Sequence, residues 1–265
     1  MNRARFLAGA MLAPLGASGL IGSAQAQTAP AQGDLQRIVA EKLVRVGAVE
    51  AFPHYRRDLR TGSWTGIMPE IAELLFTTIG VRCEYVTTEW GTAAAGLQSR
   101  RFDIVGGFNA TPQRALAVGF SDIVAQSRLA LLGLTDKVTG LREWSAVNAS
   151  SVRIAAVDGA STTRLAQGFL PNAAWTLVRT NDAMTLEMES GRVDVVLSNE
   201  PTLSQYRTQR RRGTLVIPTP HRAQPVNFGM RIDSTDLQRW MNVAIEYFRI
   251  EGTLDEIWSK YVTPA

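Results

Sequence analysis

Residues 69–105 read PEIAELLFTTIGVRCEYVTTEWGTAAAGLQSRRFDIV, and helical and strand periodicities alternate within them. Ile71, Leu74, Leu75 and Ile79 recur at helical spacing and share one face. Pro69 suits a first helical position, Glu70 and Glu73 suit the positive end, and Gly80 stops the helix. Val81–Val86 then reads as a strand, Thr92–Arg101 as a helix and Phe102–Val105 as a strand. With Leu43–Ala48 as an earlier strand, this alternation argues for a largely parallel sheet covered by helices.

A second set of the same kind starts near Val152. Strands are expected at Arg153–Val157, Trp175–Val178, Val193–Leu197 and Thr214–Ile217, with helices at Ser161–Phe169, Asp182–Glu189 and Pro201–Arg211 between them. A run at Val226–Arg231 and two helices finish the chain. Leu237, Trp240, Met241, Ala244 and Phe248 share one face of the first, and the second opens with Thr253-x-x-Glu256, which reads as a capping box. The chain is therefore α/β, with two similar sets rather than one long sheet.

Arg3 and Arg5 precede an apolar stretch from Phe6 to Ile21, and Ala24-Gln25-Ala26 offers a small-x-small cleavage site. This pattern predicts an export leader over residues 1–26, cleaved after Ala26, followed by a flexible stretch at 27–34. The stretch is too short and glycine-broken for a membrane anchor, and Ala4 between the arginines favours the general export route. Without residues 1–26, which carry two arginines and no acid, the formal charge falls from +4 to +2. That balance gives no support to nucleic-acid binding, and the Arg207, Arg210, Arg211, Arg212 cluster reads as a solvated helix end. Cys83 is the single cysteine, so no internal disulfide forms. His54 and His221 are far apart and read as polar surface residues, with no metal or triad pattern around them. No cofactor-binding motif stands out.

The order of short motifs is more specific than any one of them. Arg45-Val46-Gly47 and Phe52-Pro53 come first, then Gly66-Ile67, Trp90, Leu97-Gln98-Ser99 and Phe102-Asp103-Ile104. Thr111-Pro112-Gln113-Arg114 and Phe120-Ser121 follow, then Gly159-Ala160-Ser161, Ser190-Gly191-Arg192-Val193-Asp194 and Gly252-Thr253-Leu254 before Trp258. This series resembles the family 3 extracellular solute-binding proteins, the polar amino-acid receptors of ABC importers, over about residues 43–262. The resemblance implies the two-lobed (type II) periplasmic binding protein fold, each lobe a mostly parallel sheet flanked by helices, with the ligand cleft between them. Lobe 1 would hold residues 35–133 and 228–265 and lobe 2 residues 138–224, with crossovers near 133–137 and 225–227. It also implies a periplasmic monomer that closes on a small carboxylate-bearing solute and hands it to an inner-membrane ABC permease.

By the same resemblance Arg114 is the carboxylate anchor, a role its planar fork of donors suits. Thr111 belongs to the turn before it, and Asn109 stands where the family has a hydroxyl residue. Ser161, at the start of a helix, would complete the anion's hydrogen bonds or serve as an ordinary cap. Phe52 and Trp90 correspond to aromatic cleft walls. The pattern departs in lobe 2, where an aspartate that pairs with an α-ammonium is replaced by Asn199. Either Glu50 or Glu200 takes over the ammonium, or the ligand has none. Periplasmic cyclohexadienyl dehydratases share the scaffold, and in that alternative Glu200 would be the proton donor.

Overall fold

A computed structural model describes residues 33–262. The first half of the chain forms α1 (Asp34–Glu41), β1 (Leu43–Ala48), β2 (Arg56–Arg57), β3 (Trp64–Thr65), α2 (Ile67–Thr77), β4 (Arg82–Thr87), α3 (Ala93–Gln98), β5 (Ile104–Gly106), α4 (Pro112–Ala115), β6 (Val118–Phe120) and β7 (Ala125–Gly133). The second half forms α5 (Trp144–Val147), β8 (Arg153–Val157), α6 (Ser161–Phe169), β9 (Ala174–Val178), α7 (Asn181–Glu189), β10 (Val195–Asn199), α8 (Glu200–Arg210), β11 (Thr214–Val216), β12 (Ala223–Val226), β13 (Phe228–Arg231), α9 (Thr235–Ile250) and α10 (Thr253–Tyr261).

These strands build two main sheets, one per lobe. The first runs β4-β1-β5-β13-β6 and the second β11-β7-β10-β8-β9, with β12 also paired to β7. β1 lies parallel to β4 and β5, and β8 parallel to β9 and β10, as strand–helix–strand connections require. The apolar face of α2 (Ile67, Ile71, Leu75 and Phe76) is buried in the first core together with Leu237, Met241 and Ile245 of α9. The second lobe packs Leu129, Leu131, Ile154, Val195 and Leu197 around Trp144.

Three expectations need correction. First, β7 pairs with β10, β11 and β12 along its length, so residues 125–133 belong to the second sheet. The first crossover therefore falls at the start of β7, where Ala125 still packs against the first core, rather than at 133–137, where Lys137 instead reaches Asp194 within the second lobe (2.8 Å). Second, Val226–Arg231 is not one strand. It divides at Asn227, whose side chain accepts from Ala110 N (3.2 Å) and donates to Ser121 O (2.9 Å). Third, the capping box does not form: Gly252, at φ +82°, is the cap of α10, and Thr253 is already helical.

The export leader lies outside the described residues, as does most of the 27–34 stretch. Asp34, however, opens α1, where its buried carboxylate meets Arg231 and Ser234. Among the described residues no helix is long and apolar enough to cross a membrane.

Candidate ligand-binding site

The carboxyl ends of β1, β5, β8 and β10 converge on one crevice, where open α/β sheets place their ligands. It encloses a small cavity of about 40 Å³ lined from both lobes. Trp90, Asn109, Arg114, Ser161 and Asn199, all singled out from sequence, line it together.

Thr111 caps α4 by accepting from Arg114 N (3.2 Å), which fixes where the arginine emerges. The Arg114 guanidinium stacks on Phe108, 3.8 Å from the ring centroid. It donates to Asn109 O (3.0 Å) in the first lobe and to Gly159 O (3.1 Å) in the second. Burial, reinforced by Arg164, pulls its pKa down to about 10. Phe108 in turn stacks on Trp90 and Phe120, which holds the aromatic shelf flat.

Ser161 is the first residue of α6, whose cap is Ala160, so the ordinary-cap reading fails. Its Oγ lies 3.1 Å from Gln224 Oε1, which also lies 2.9 Å from the Asn109 amide. Asn199 caps α8 by accepting from Thr202 N (3.0 Å). The N-termini of α6 and α8 thus both border the cavity, and each carries the positive end of a helix dipole.

Three candidates sit elsewhere. Glu50 and Phe52 line a neighbouring outer hollow of about 310 Å³ that shares Ala51, Asn181 and Thr202 with the cavity. The Phe52 ring is covered by the Arg56 guanidinium (4.3 Å) and edged by Tyr261, so its face is already occupied. Glu200 is outside the cavity lining. It is clamped by Arg128, with Nε and Nη2 donating at 2.7 and 2.6 Å.

The sequence reading missed His54 and Ser127. His54 is not a surface residue: it is 5% exposed, lines the cavity and lies beside Trp258. Tyr55 OH accepts from Gly106 N (3.0 Å), and Ile67 N and Met68 N donate to Pro53 O and His54 O. Gly66 allows that close approach, since a Cβ there would fall 2.6 Å from Pro53 O. Burial pushes His54 down to about 4, opposed by hydrogen bonding with Asn199.

Residues 44–264 match the model of the bacterial extracellular solute-binding proteins, family 3. The chain belongs to that family. It is therefore a family 3 solute-binding protein of the polar amino-acid type, and the two-lobed α/β architecture is that of its relatives. Similar proteins include the L-cystine-binding protein TcyA of Bacillus subtilis, 24% identical over 94% of this chain and 92% of that one. The L-arginine-binding protein of Pseudomonas aeruginosa is 22% identical over 86% of this chain and 90% of its own. Among solved structures, an ancestral amino acid-binding protein described as a precursor of cyclohexadienyl dehydratase is 27% identical. It superposes with a TM-score of 0.79 over 87% of this chain and 100% of that one. A Streptococcus pneumoniae substrate-binding protein bound to L-arginine has the same fold, with a TM-score of 0.78 at 18% identity over 85% of this chain and 97% of that one.

Proposed function

We propose that this family 3 solute-binding protein is exported to the periplasm and captures a small carboxylate-bearing solute for an ABC permease. One observation carries the reading. Arg114 is a largely buried cation at the junction of the lobes, and among the described residues its side chain bonds only to backbone carbonyls and pairs with no carboxylate. An unpaired buried charge is costly, and a ligand carboxylate supplies the missing partner. The remaining guanidinium donors and the N-termini of α6 and α8 suit an anion.

The ligand docks on the first lobe at Arg114 and the Trp90–Phe108 shelf. Closure then brings Ser161 and Asn199 onto it, and the closed form engages the permease. The protein acts as a monomer and as a receptor rather than an enzyme. Glu200, the side chain that the dehydratase alternative would use, is held in an ion pair with Arg128 outside the cavity.

Thermal-shift screening with amino acids, keto acids, hydroxy acids and dicarboxylates tests this directly, because a ligand of the folded state raises stability by mass action. Arg114→Ala is expected to weaken any ligand found by about 2–5 kcal/mol, roughly thirtyfold or more in Kd. Unchanged affinity in that variant would remove Arg114 as the anchor.

A further inference from the structure

A polar amino acid brings an ammonium as well as a carboxylate, and among the described residues no acid lines the cavity to receive it. Asn199 is neutral, and its Oδ1 already accepts from Thr202 N (3.0 Å). Glu200 is held by Arg128, and Glu50 lies on the outer hollow. The ammonium therefore needs a neutral oxygen acceptor, and the way Ser161 is bonded supplies one.

Ser161 is 7% exposed and lines the cavity from the second lobe. Its Oγ donates to Gln224 Oε1 (3.1 Å), and Gln224 Nε2 donates in return to Ser161 O (3.3 Å). The return bond fixes the Gln224 amide with its oxygen toward the hydroxyl. Turning the Asn109 amide over changes only the acceptor, since Asn109 Oδ1 then takes the Ser161 hydroxyl, also at 3.1 Å. In both arrangements the one hydroxyl hydrogen goes to a side-chain amide oxygen, and only lone pairs are left for a ligand. A carboxylate, which only accepts, finds no match in that oxygen; an ammonium, which only donates, does. Arg114 donates to Gly159 O (3.1 Å), so a carboxylate that it holds lies against the turn that carries Ser161 two residues on.

We infer that Ser161 Oγ is the acceptor for the ligand's α-ammonium, and that Gln224 is the positioning residue that sets this polarity. The inference rests on the reading of Arg114 as the carboxylate anchor and goes further by assigning the second pole of the ligand. Gln224 is outside the cavity lining. It is 7% exposed on β12, opposite Ser127 of β7, and acts through the hydroxyl it captures. One hydrogen bond between a neutral acceptor and a charged donor is worth about tenfold to a hundredfold in affinity, which sets the selectivity to expect for the amino group.

Titration calorimetry on the mature protein tests this with L-glutamine, L-arginine and L-glutamate. Each is paired with the acid that lacks only its α-amino group: glutaramate, δ-guanidinovalerate and glutarate. At least one amino acid is expected to bind, about tenfold or more tighter than its des-amino partner. Ser161→Ala should lower that ratio at least about fivefold, while Ser161→Thr, which keeps the hydroxyl, should preserve it. Gln224→Leu should lower it as well, because the freed hydroxyl hydrogen turns to the carboxylate. Should Gln224→Leu fail to fold, the two Ser161 variants decide alone. The inference is overturned if none of the three amino acids binds, or if the two members of a pair bind alike. It is equally overturned if the ratio survives Ser161→Ala, which would make Ser161 a carboxylate donor, or survives Gln224→Leu. Failure of the underlying reading looks different: the amino acid and its partner both keep their affinity in Arg114→Ala.

Discussion

Closure of the two lobes brings backbone against backbone at Gly159 and Gly91, and that contact gives a quantitative test of hinge closure. A Cβ added at Gly159 would sit 2.7 Å from Gly91 Cα and 2.9 Å from Gly91 N. Normal carbon–carbon contact is about 3.5–4.0 Å, so the overlap is close to 1 Å, and neither partner is a side chain that can swing away. Gly91 follows β4 in the first lobe and Gly159 follows β8 in the second, so only the closed arrangement carries the clash. Overpacking of this kind costs about 1–3 kcal/mol. With about 2 kcal/mol removed from the closed state, the Kd of Gly159→Ala should rise about thirtyfold, since affinity falls with the competent fraction. Gly159 also has φ +73°, so alanine there is strained in either state. Gly191 supplies the control: it shares φ +73° but has nothing within 4 Å of its Cβ position. Gly191→Ala should lose about 1 kcal/mol of stability from strain and leave Kd unchanged. Calorimetry with the carboxylate found by screening, and urea unfolding of both variants, separate the two effects. Equal Kd values for Gly159→Ala and Gly191→Ala would refute closure through this contact.

Stability should also depend on pH through His54. Its folded pKa of about 4 lies below the unfolded value of about 6.5, so the unfolded chain binds the extra proton between them. Stability is then full above about pH 6.5 and falls on acidification, by about 3 kcal/mol at pH 4, and His54→Phe should flatten that slope in urea titrations. Asp194 behaves the opposite way in origin: hydrogen bonds from Arg153, then Lys137, hold its carboxyl well below the usual range. Its contribution is present above the ordinary carboxylate pKa and is lost as pH falls through the depressed one. With Lys137 and Arg153 half exposed, Asp194→Asn should cost only about 1 kcal/mol at pH 7, read from the urea midpoint. Glu200→Gln should leave ligand affinity within about twofold, well under 1 kcal/mol. Incubated with prephenate or arogenate, the wild-type protein should leave both unconsumed by chromatography, and turnover of either would return Glu200 to the role of proton donor.

Legibility from sequence followed the range of the interactions involved. Leu43–Ala48, Arg153–Val157 and Ser161–Phe169 were readable to the residue, because local periodicity and the flanking turns define them. β7 was not readable, since AQSRLALLG shows no clean alternation and owes its state to three antiparallel partners distant in sequence. The break at Asn227 lies in the stretch where the resemblance implied the second crossover, while the bonds that fix it reach Ala110 and Ser121, more than 100 positions away. Within the site, Arg114, Ser161, Asn199, Asn109 and Trp90 stood out by motif position. His54 did not, because its burial depends on Trp258 and on the β10 end, neither of them local to it. Phe52 was misplaced for a similar reason: Arg56 and Tyr261 claim its ring.

The position of β13 has a consequence for how the polypeptide assembles as it is synthesised. β13 sits between β5 and β6, so the first sheet lacks an interior strand until residues 228–231 are available. The second sheet needs nothing beyond Val226. Domains tend to fold as units from the N-terminal side, but here the half that starts the chain is the half that must wait. The contiguous segment 125–226 can therefore reach its native topology first, as an inserted module with its two ends paired side by side at Ala125 and Val226. The outer half then condenses around it when the last 40 or so residues arrive, and the solute cleft comes into being as the final event of folding.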